Sequence, residues 1–186
     1  QKFIFSHVKQ GMRARDLEDA LQWLISAGLI YKVEKIERPN IPVTTYSDTT
    51  HFKIYFSDVG LLRRMSKFPA DVVFDTSSLT ADMRGILTEN FVVTELIAND
   101  FQRPFFWKSG GIAEVDCVIQ EGVDVVPIEV KSARRTRSRS LSEYRKKYSP
   151  RIAVRTSLNT IARHSDAYGE VLEIPLYLIW RLKAYL

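Results

Sequence analysis

Apolar positions along the chain change period several times, and each change predicts an element. From Arg15 to Ala27, Leu17, Ala20, Leu21, Leu24 and Ile25 recur at helical spacing, and Gly28 stands where a glycine ends a helix. Ile30 to Glu37 alternates as a strand, Arg38 to His51 reads as a polar, proline-containing loop, and Phe52 to Phe56 as the returning strand. Asp58 to Met65 reads as a short helix, and Lys67 to Leu79 as a linker. Met83 to Asn99 carries a second helical stripe: Ile86, Leu87, Phe91, Val92, Leu96 and Ile97. Strands follow at Phe105–Lys108, Ala113–Gln120 and Val125–Lys131, then a helix at Ser140–Tyr148 and a strand at Arg151–Thr156. The apolar end, Val171 to Leu186, fits strand, helix or both. Interleaved strands and helices make the fold class α/β or α+β.

Two units are expected. Helix, strand, long loop, strand is the order of a winged helix, so residues 1–66 form a winged-helix-like segment with Arg38–His51 as the wing. Residues 67–79 are the linker and residues 80–186 the second domain. The first helix is acidic at Asp16, Glu18 and Asp19. That suits packing or partner docking better than reading a DNA groove with Arg13 and Arg15. Trp23 and Trp107 are expected in the core, and His7, His51 and His164 have no telling partners.

The chemistry gathers on the hairpin. With Glu121-Gly122-Val123-Asp124 as its loop, Gln120 pairs with Val125, Asp116 falls opposite Glu129, and Glu114 opposite Lys131. Strict alternation then puts Glu114, Asp116, Val118, Pro127, Glu129 and Lys131 on one face. Val115, Cys117, Ile119, Val126, Ile128 and Val130 make an apolar opposite face. Facing carboxylates repel, and a cation, Lys131 or solvent must offset that. Mg²⁺ is commonly held by one or two carboxylates with water and substrate phosphate. A neighbouring lysine can orient the attacking water or stabilise developing charge.

Composition narrows the classes. Apolar residues at 45% and charged residues at 26% indicate a folded domain rather than a disordered chain. One cysteine, Cys117, rules out an internal disulfide framework or a cysteine-rich zinc site. No signal peptide stands out, the longest apolar run (Leu176–Trp180) is too short to span a bilayer, and a cytoplasmic setting is the default. The chain opens at Gln1 in mid-domain sequence, as a fragment of a longer protein would. Net charge is +5, but Lys131 to Arg155 holds ten basic residues against one acidic, leaving the remainder at −4. A basic stripe on a mildly acidic protein suits a polyanion partner. Arg134, Arg135, Arg137 and Arg139, just beyond Lys131, are the expected phosphate contacts.

Asp116 followed by Pro127-Ile128-Glu129-Val130-Lys131 resembles the D…(D/E)-x-K motif of the restriction-endonuclease-like, PD-(D/E)XK superfamily, with Val115 where a proline is common. Together with Gly85-x-x-x-Glu89-Asn90-Phe91-Val92, Glu95-Leu96, Phe106-Trp107-Lys108, Ala113-Glu114 and the stretches Leu24–Tyr31 and Lys53–Leu62, this resembles more narrowly a C-terminal module. That module is found behind AAA-type ATPase domains of bacteria and archaea. The resemblance implies a winged-helix-like segment before a restriction-endonuclease-like mixed-sheet domain. It implies Mg²⁺ held by Asp116 and Glu129, a water assisted by Lys131, and Glu89 supplementing the site. It also implies an ATPase domain in the same protein; no G-x-x-x-x-G-K-[ST] loop occurs in this sequence. Three functions remain open: a Mg²⁺-dependent DNA nuclease, a silent nuclease fold that binds nucleic acid, and a pure interaction domain. An oligomer is compatible with each.

Overall fold

The computed structural model describes residues 14–71, 80–101, 103–134 and 138–186, with the side chains of 14–16 left aside. Of the expected linker, residues 72–79 therefore lie outside the described residues, as do Arg13, His7, Arg135 and Arg137.

Helix α1 (Ala14–Ser26) leads into an antiparallel hairpin, β1 (Ile30–Ile36) and β2 (Ser47–Phe56). Gly28 ends the helix with φ +70, a conformation that glycine adopts without a Cβ penalty. Short α2 (Val59–Met65) is capped by the Asp58 side chain, which accepts from the Leu61 amide. Then come α3 (Ala81–Ala98), β3 (Phe105–Lys108), β4 (Glu114–Glu121), β5 (Asp124–Val130), α4 (Arg139–Tyr148), β6 (Ile152–Ser157), β7 (Ala162–Asp166) and β8 (Gly169–Pro175). The apolar end is both strand and helix: β8 runs into a 3₁₀ stretch, Leu176–Ala184. Strand β7, exposed and polar (Ala-Arg-His-Ser-Asp), carries no apolar alternation and was not expected.

All eight strands make one mixed sheet, in the order β2-β1-β3-β4-β5-β6-β8-β7. The β1–β2 hairpin joins it through parallel pairing of Lys35 and Ile36 with Phe106 and Trp107. One sheet thus runs across the expected boundary at 67–79. α3 and the 3₁₀ stretch cover one face over Cys117, Ile119, Val126, Ile128 and Val130, and Val33 and Tyr55 of the hairpin share that core. α4 covers the other face, where Tyr144 packs with Trp107, Val115 and Val118, and with Ile36 and Val43 of the N-terminal stretch.

The loop expected as a wing is shorter than read and is tied down. β2 already begins at Ser47, and buried Val43 donates its amide to Gln120 Oε1 at 3.0 Å. Trp107 is buried as expected, but Trp23 is 77% exposed. The reason is one of phase: Leu21 is buried toward the hairpin, with Ile30 and Phe52, while Trp23 is two residues out of step on a 3.6-residue helix.

Candidate active site

The β4–β5 hairpin has the expected register, Cys117–Ile128 through Gln120–Val125, but a tighter turn. Glu121 pairs with Asp124 across two residues, with Gly122 at φ +58.

The faces differ from strict alternation, and the cause is a β-bulge. On one side of it Phe105 faces Val118; on the other Trp107 faces Val115. Phe106 alone therefore spans both Asp116 and Cys117. Val115 consequently packs with Val118 under α4, while Cys117 and Ile119 lie under α3. The expected polar face is not solvated: Val118, Pro127 and Glu129 are all buried. Glu114 does not face Lys131 either; it faces Lys108 on β3.

The bulge sets Asp116 where the β4–β5 ladder stops. Asp116 Oδ2 accepts a hydrogen bond from the Val130 amide at 2.8 Å, so the carboxylate takes up a donor at the end of the ladder. Burial and then the neighbouring charge of Glu129 push the Asp116 carboxyl up to about 8, with Glu89 adding to the effect. The residue as a whole is half-buried, yet its carboxyl is directed inward.

Glu129 is 3% exposed. Its Oε1 meets Lys131 Nζ at 2.5 Å, and its Oε2 has no hydrogen-bond partner among the described residues. Buried carboxylate oxygens are ordinarily satisfied, so an open one beside a second carboxylate is a point of unmet demand. Lys131 remains 31% exposed, at the rim of the group. The expected pair and its lysine are therefore together.

Glu89 has other partners. Its Oε1 accepts from Lys53 Nζ at 2.8 Å and from the Tyr55 hydroxyl at 2.5 Å. Burial would raise its carboxyl, but the Lys53 charge and these two hydrogen bonds outweigh that and hold it below the usual carboxylate range. Lys53 also meets Glu114 at 2.6 Å. Lys53 and Tyr55 went unnoticed in the sequence, where they read only as strand residues. Their one signal is spacing: two positions apart, they share a strand face that an ordinary solvated lysine would not share with a core tyrosine.

Residues 84–177 match the family described as "Domain of unknown function (DUF4143)". That is half of the chain. The chain belongs to the DUF4143 family. Residues 1–72 match a second family, "Domain of unknown function (DUF8612)". No curated protein and no solved structure matches the chain. Within the DUF4143 match lie Glu89, Glu114, Asp116, Glu129 and Lys131; Lys53 and Tyr55 lie in the DUF8612 match.

Among the described residues, no group of three or more His, Cys, Asp or Glu side chains is arranged to hold a metal ion. A Mg²⁺ site needs fewer, since water and substrate phosphate complete its shell. Asp116, its carboxyl raised by burial and the neighbouring Glu129 charge, and Glu129, with one oxygen open, fit that smaller requirement.

The basic stripe is partly spent inside the fold. Lys131 pairs with Glu129, Arg145 with Asp166, Arg151 with Asp124 and Arg155 with Glu173. Arg134, Arg139, Lys146 and Lys147 are exposed without an ion pair among the described residues, although Lys147 lies over the Trp107 and Tyr148 rings. His51 pairs with Asp48 at 2.7 Å and His164 is exposed on β7, both away from the acidic group. Among the described residues, no helix is long and apolar enough to cross a membrane.

Proposed function

We propose that the protein is a nucleic-acid-engaging module with a Mg²⁺-dependent phosphodiesterase site of the PD-(D/E)XK kind. In this reading it is the C-terminal part of a larger cytoplasmic AAA-type ATPase. The observation that carries the reading is the Asp116–Glu129 pair beside Lys131, with Glu129 Oε2 left open. Asp116 and Glu129 would hold the cation. Bound there, Mg²⁺ would polarise a phosphodiester and acidify a water. Lys131, at the rim and just past the end of the strand that carries Glu129, orients that water or stabilises charge on the phosphate. Arg134 and Arg139, with Arg135 and Arg137 between them, lie on the segment leaving Lys131 and contact the flanking phosphates. On this reading residues 80–186 are the restriction-endonuclease-like part. Residues 1–66 are a winged-helix-like part whose hairpin is docked onto the sheet rather than offered to DNA.

The test is cleavage of duplex and single-stranded DNA with Mg²⁺ or Mn²⁺ by wild type and by Asp116→Ala, Glu129→Ala and Lys131→Ala. Loss of cleavage in all three, with folded proteins, is the expected result. Cleavage that survives every change refutes the reading.

A second reading, a silent nuclease fold that binds nucleic acid, is favoured by one observation: Glu89 is already engaged by Lys53 and Tyr55. It predicts no cleavage by wild type but salt-dependent DNA binding. The slope of log K against log salt should then shrink by about 0.9 for each arginine neutralised among Arg134, Arg135, Arg137 and Arg139.

A further inference from the structure

Lys53 is placed as no surface lysine would be. It lies on β2, an edge strand of the sheet, yet it is 4% exposed and sits 5.1 Å from the centre of the Phe106 ring. A buried ammonium is tolerated when it is paired, and Lys53 is paired twice, with Glu89 of α3 at 2.8 Å and Glu114 of β4 at 2.6 Å. Those carboxylates flank Asp116: Glu114 is two residues before it on the same strand, and the charge of Glu89 is felt at the Asp116 carboxyl. Tyr55, on the same strand face, gives Glu89 a second donor.

The next residue on each element closes the arrangement. Asn90 accepts from the Phe56 amide at 2.8 Å and donates to the Phe56 carbonyl at 2.9 Å, so α3 is fastened to β2 beside Glu89. The charges follow from this. Four carboxylates, Glu89, Glu114, Asp116 and Glu129, occupy one neighbourhood. Lys53 neutralises two of them from inside, and this leaves Asp116 and Glu129 as the pair with unmet demand.

We propose that Lys53 is a positioning residue of the candidate active site, holding Glu89 and Glu114 in place on either side of Asp116. The site is then a joint product of the N-terminal hairpin and the DUF4143 stretch. The inference rests on the proposed cation site, and its test separates the two.

Mn²⁺ binding is measured by calorimetry on the full chain, for wild type, Lys53→Met, Lys53→Arg, Tyr55→Phe and Lys35→Met. Lys35 also bridges two carboxylates, Glu37 and Asp48, neither of which belongs to the site. With Glu89 supplementing the cation site, Lys53 orients a ligand, and losing such a residue typically weakens binding about 10-fold to 100-fold, which is the expectation for Lys53→Met. Lys53→Arg should recover most of that loss, Tyr55→Phe should lose less, and Lys35→Met should match wild type. Carbodiimide labelling of carboxyl groups without metal gives the second readout: Glu89 and Glu114 should gain label in Lys53→Met. Wild-type affinity in both Lys53→Met and Tyr55→Phe overturns the inference. If Lys53→Met does not fold, Tyr55→Phe carries the comparison, and unchanged affinity and labelling of Glu89 in it overturn the inference. If wild type binds no Mn²⁺, the cation site fails, and labelling decides alone: a gain at Glu89 and Glu114 supports positioning by Lys53, and no gain overturns it.

Discussion

Two acidic groups lie side by side under the same sheet and are treated differently. Around Lys53, each carboxylate has a cation: Glu89 and Glu114 share one buried ammonium, Tyr55 adds a hydroxyl, and Lys108 approaches Glu114 at 3.6 Å. Around Glu129, half-exposed Lys131 pairs with Glu129, Glu129 Oε2 stays open, and the Asp116 carboxyl is pushed up to about 8. Each group joins one buried residue, Lys53 or Glu129, to half-buried ones, so burial does not distinguish them. Compensation does. A satisfied ionic group holds elements together, whereas an unsatisfied one keeps a demand that a ligand can meet.

The comparison is broken most directly at Lys53. Lys53→Met leaves Glu89 and Glu114 uncompensated, and removing one partner of a buried ionic group costs about 3–5 kcal/mol. Urea denaturation measures this, and a loss under 1 kcal/mol would mean that the first group is not held by Lys53. Tyr55→Phe removes one hydrogen bond to a charged oxygen and should cost about 1.5–3 kcal/mol by the same measurement.

Asp116→Asn should act in the opposite direction. The Asp116 carboxyl is raised from 3.8 to about 8, so below pH 4 folded and unfolded chains both hold its proton and nothing is lost. As pH rises from 4 towards 8 the unfolded chain releases the proton while the folded chain keeps it, and stability falls. Asp116→Asn removes that term and can keep an acceptor for the Val130 amide. It should leave stability nearly unchanged near pH 4 and raise it progressively as pH climbs towards 8. Melting curves between pH 4 and 9 check this; a variant with the wild-type slope would place the titration elsewhere. A smaller effect is expected at Lys131, which is itself partly exposed; because its partner Glu129 is buried, the loss should exceed the roughly 1 kcal/mol of a fully exposed pair. Lys131→Met should still fold, and a loss as large as that of Lys53→Met would make Lys131 part of the packing.

Most elements were legible because their signals are local. The helical stripe of α3, the turn around Gly122 and the Val-rich β5 each follow from a few neighbouring residues, and the β4–β5 register follows from the turn. The bulge was not legible, because it depends on how β3 sits against β4, and it moved Val115 to the α4 face. Trp23 was misplaced because apolar character alone does not fix the phase of a helix face. β7 was invisible because it pairs only with β8 and offers no alternating apolar residues.

Residue order alone determined the hairpin that carries Asp116 and Glu129, since its turn leaves one register from Gln120–Val125 to Cys117–Ile128. It also set Lys131 two residues beyond Glu129, just past the end of its strand. Only the tertiary structure decided that Lys53, 36 positions before Glu89, would be its ion partner. The reason is physical: strand β1 pairs in parallel with β3 and brings the N-terminal hairpin onto the sheet, and a buried ammonium is stable there only between the carboxylates of α3 and β4. Compensation of charge is a property of neighbours in space, and those neighbours come from two stretches of chain.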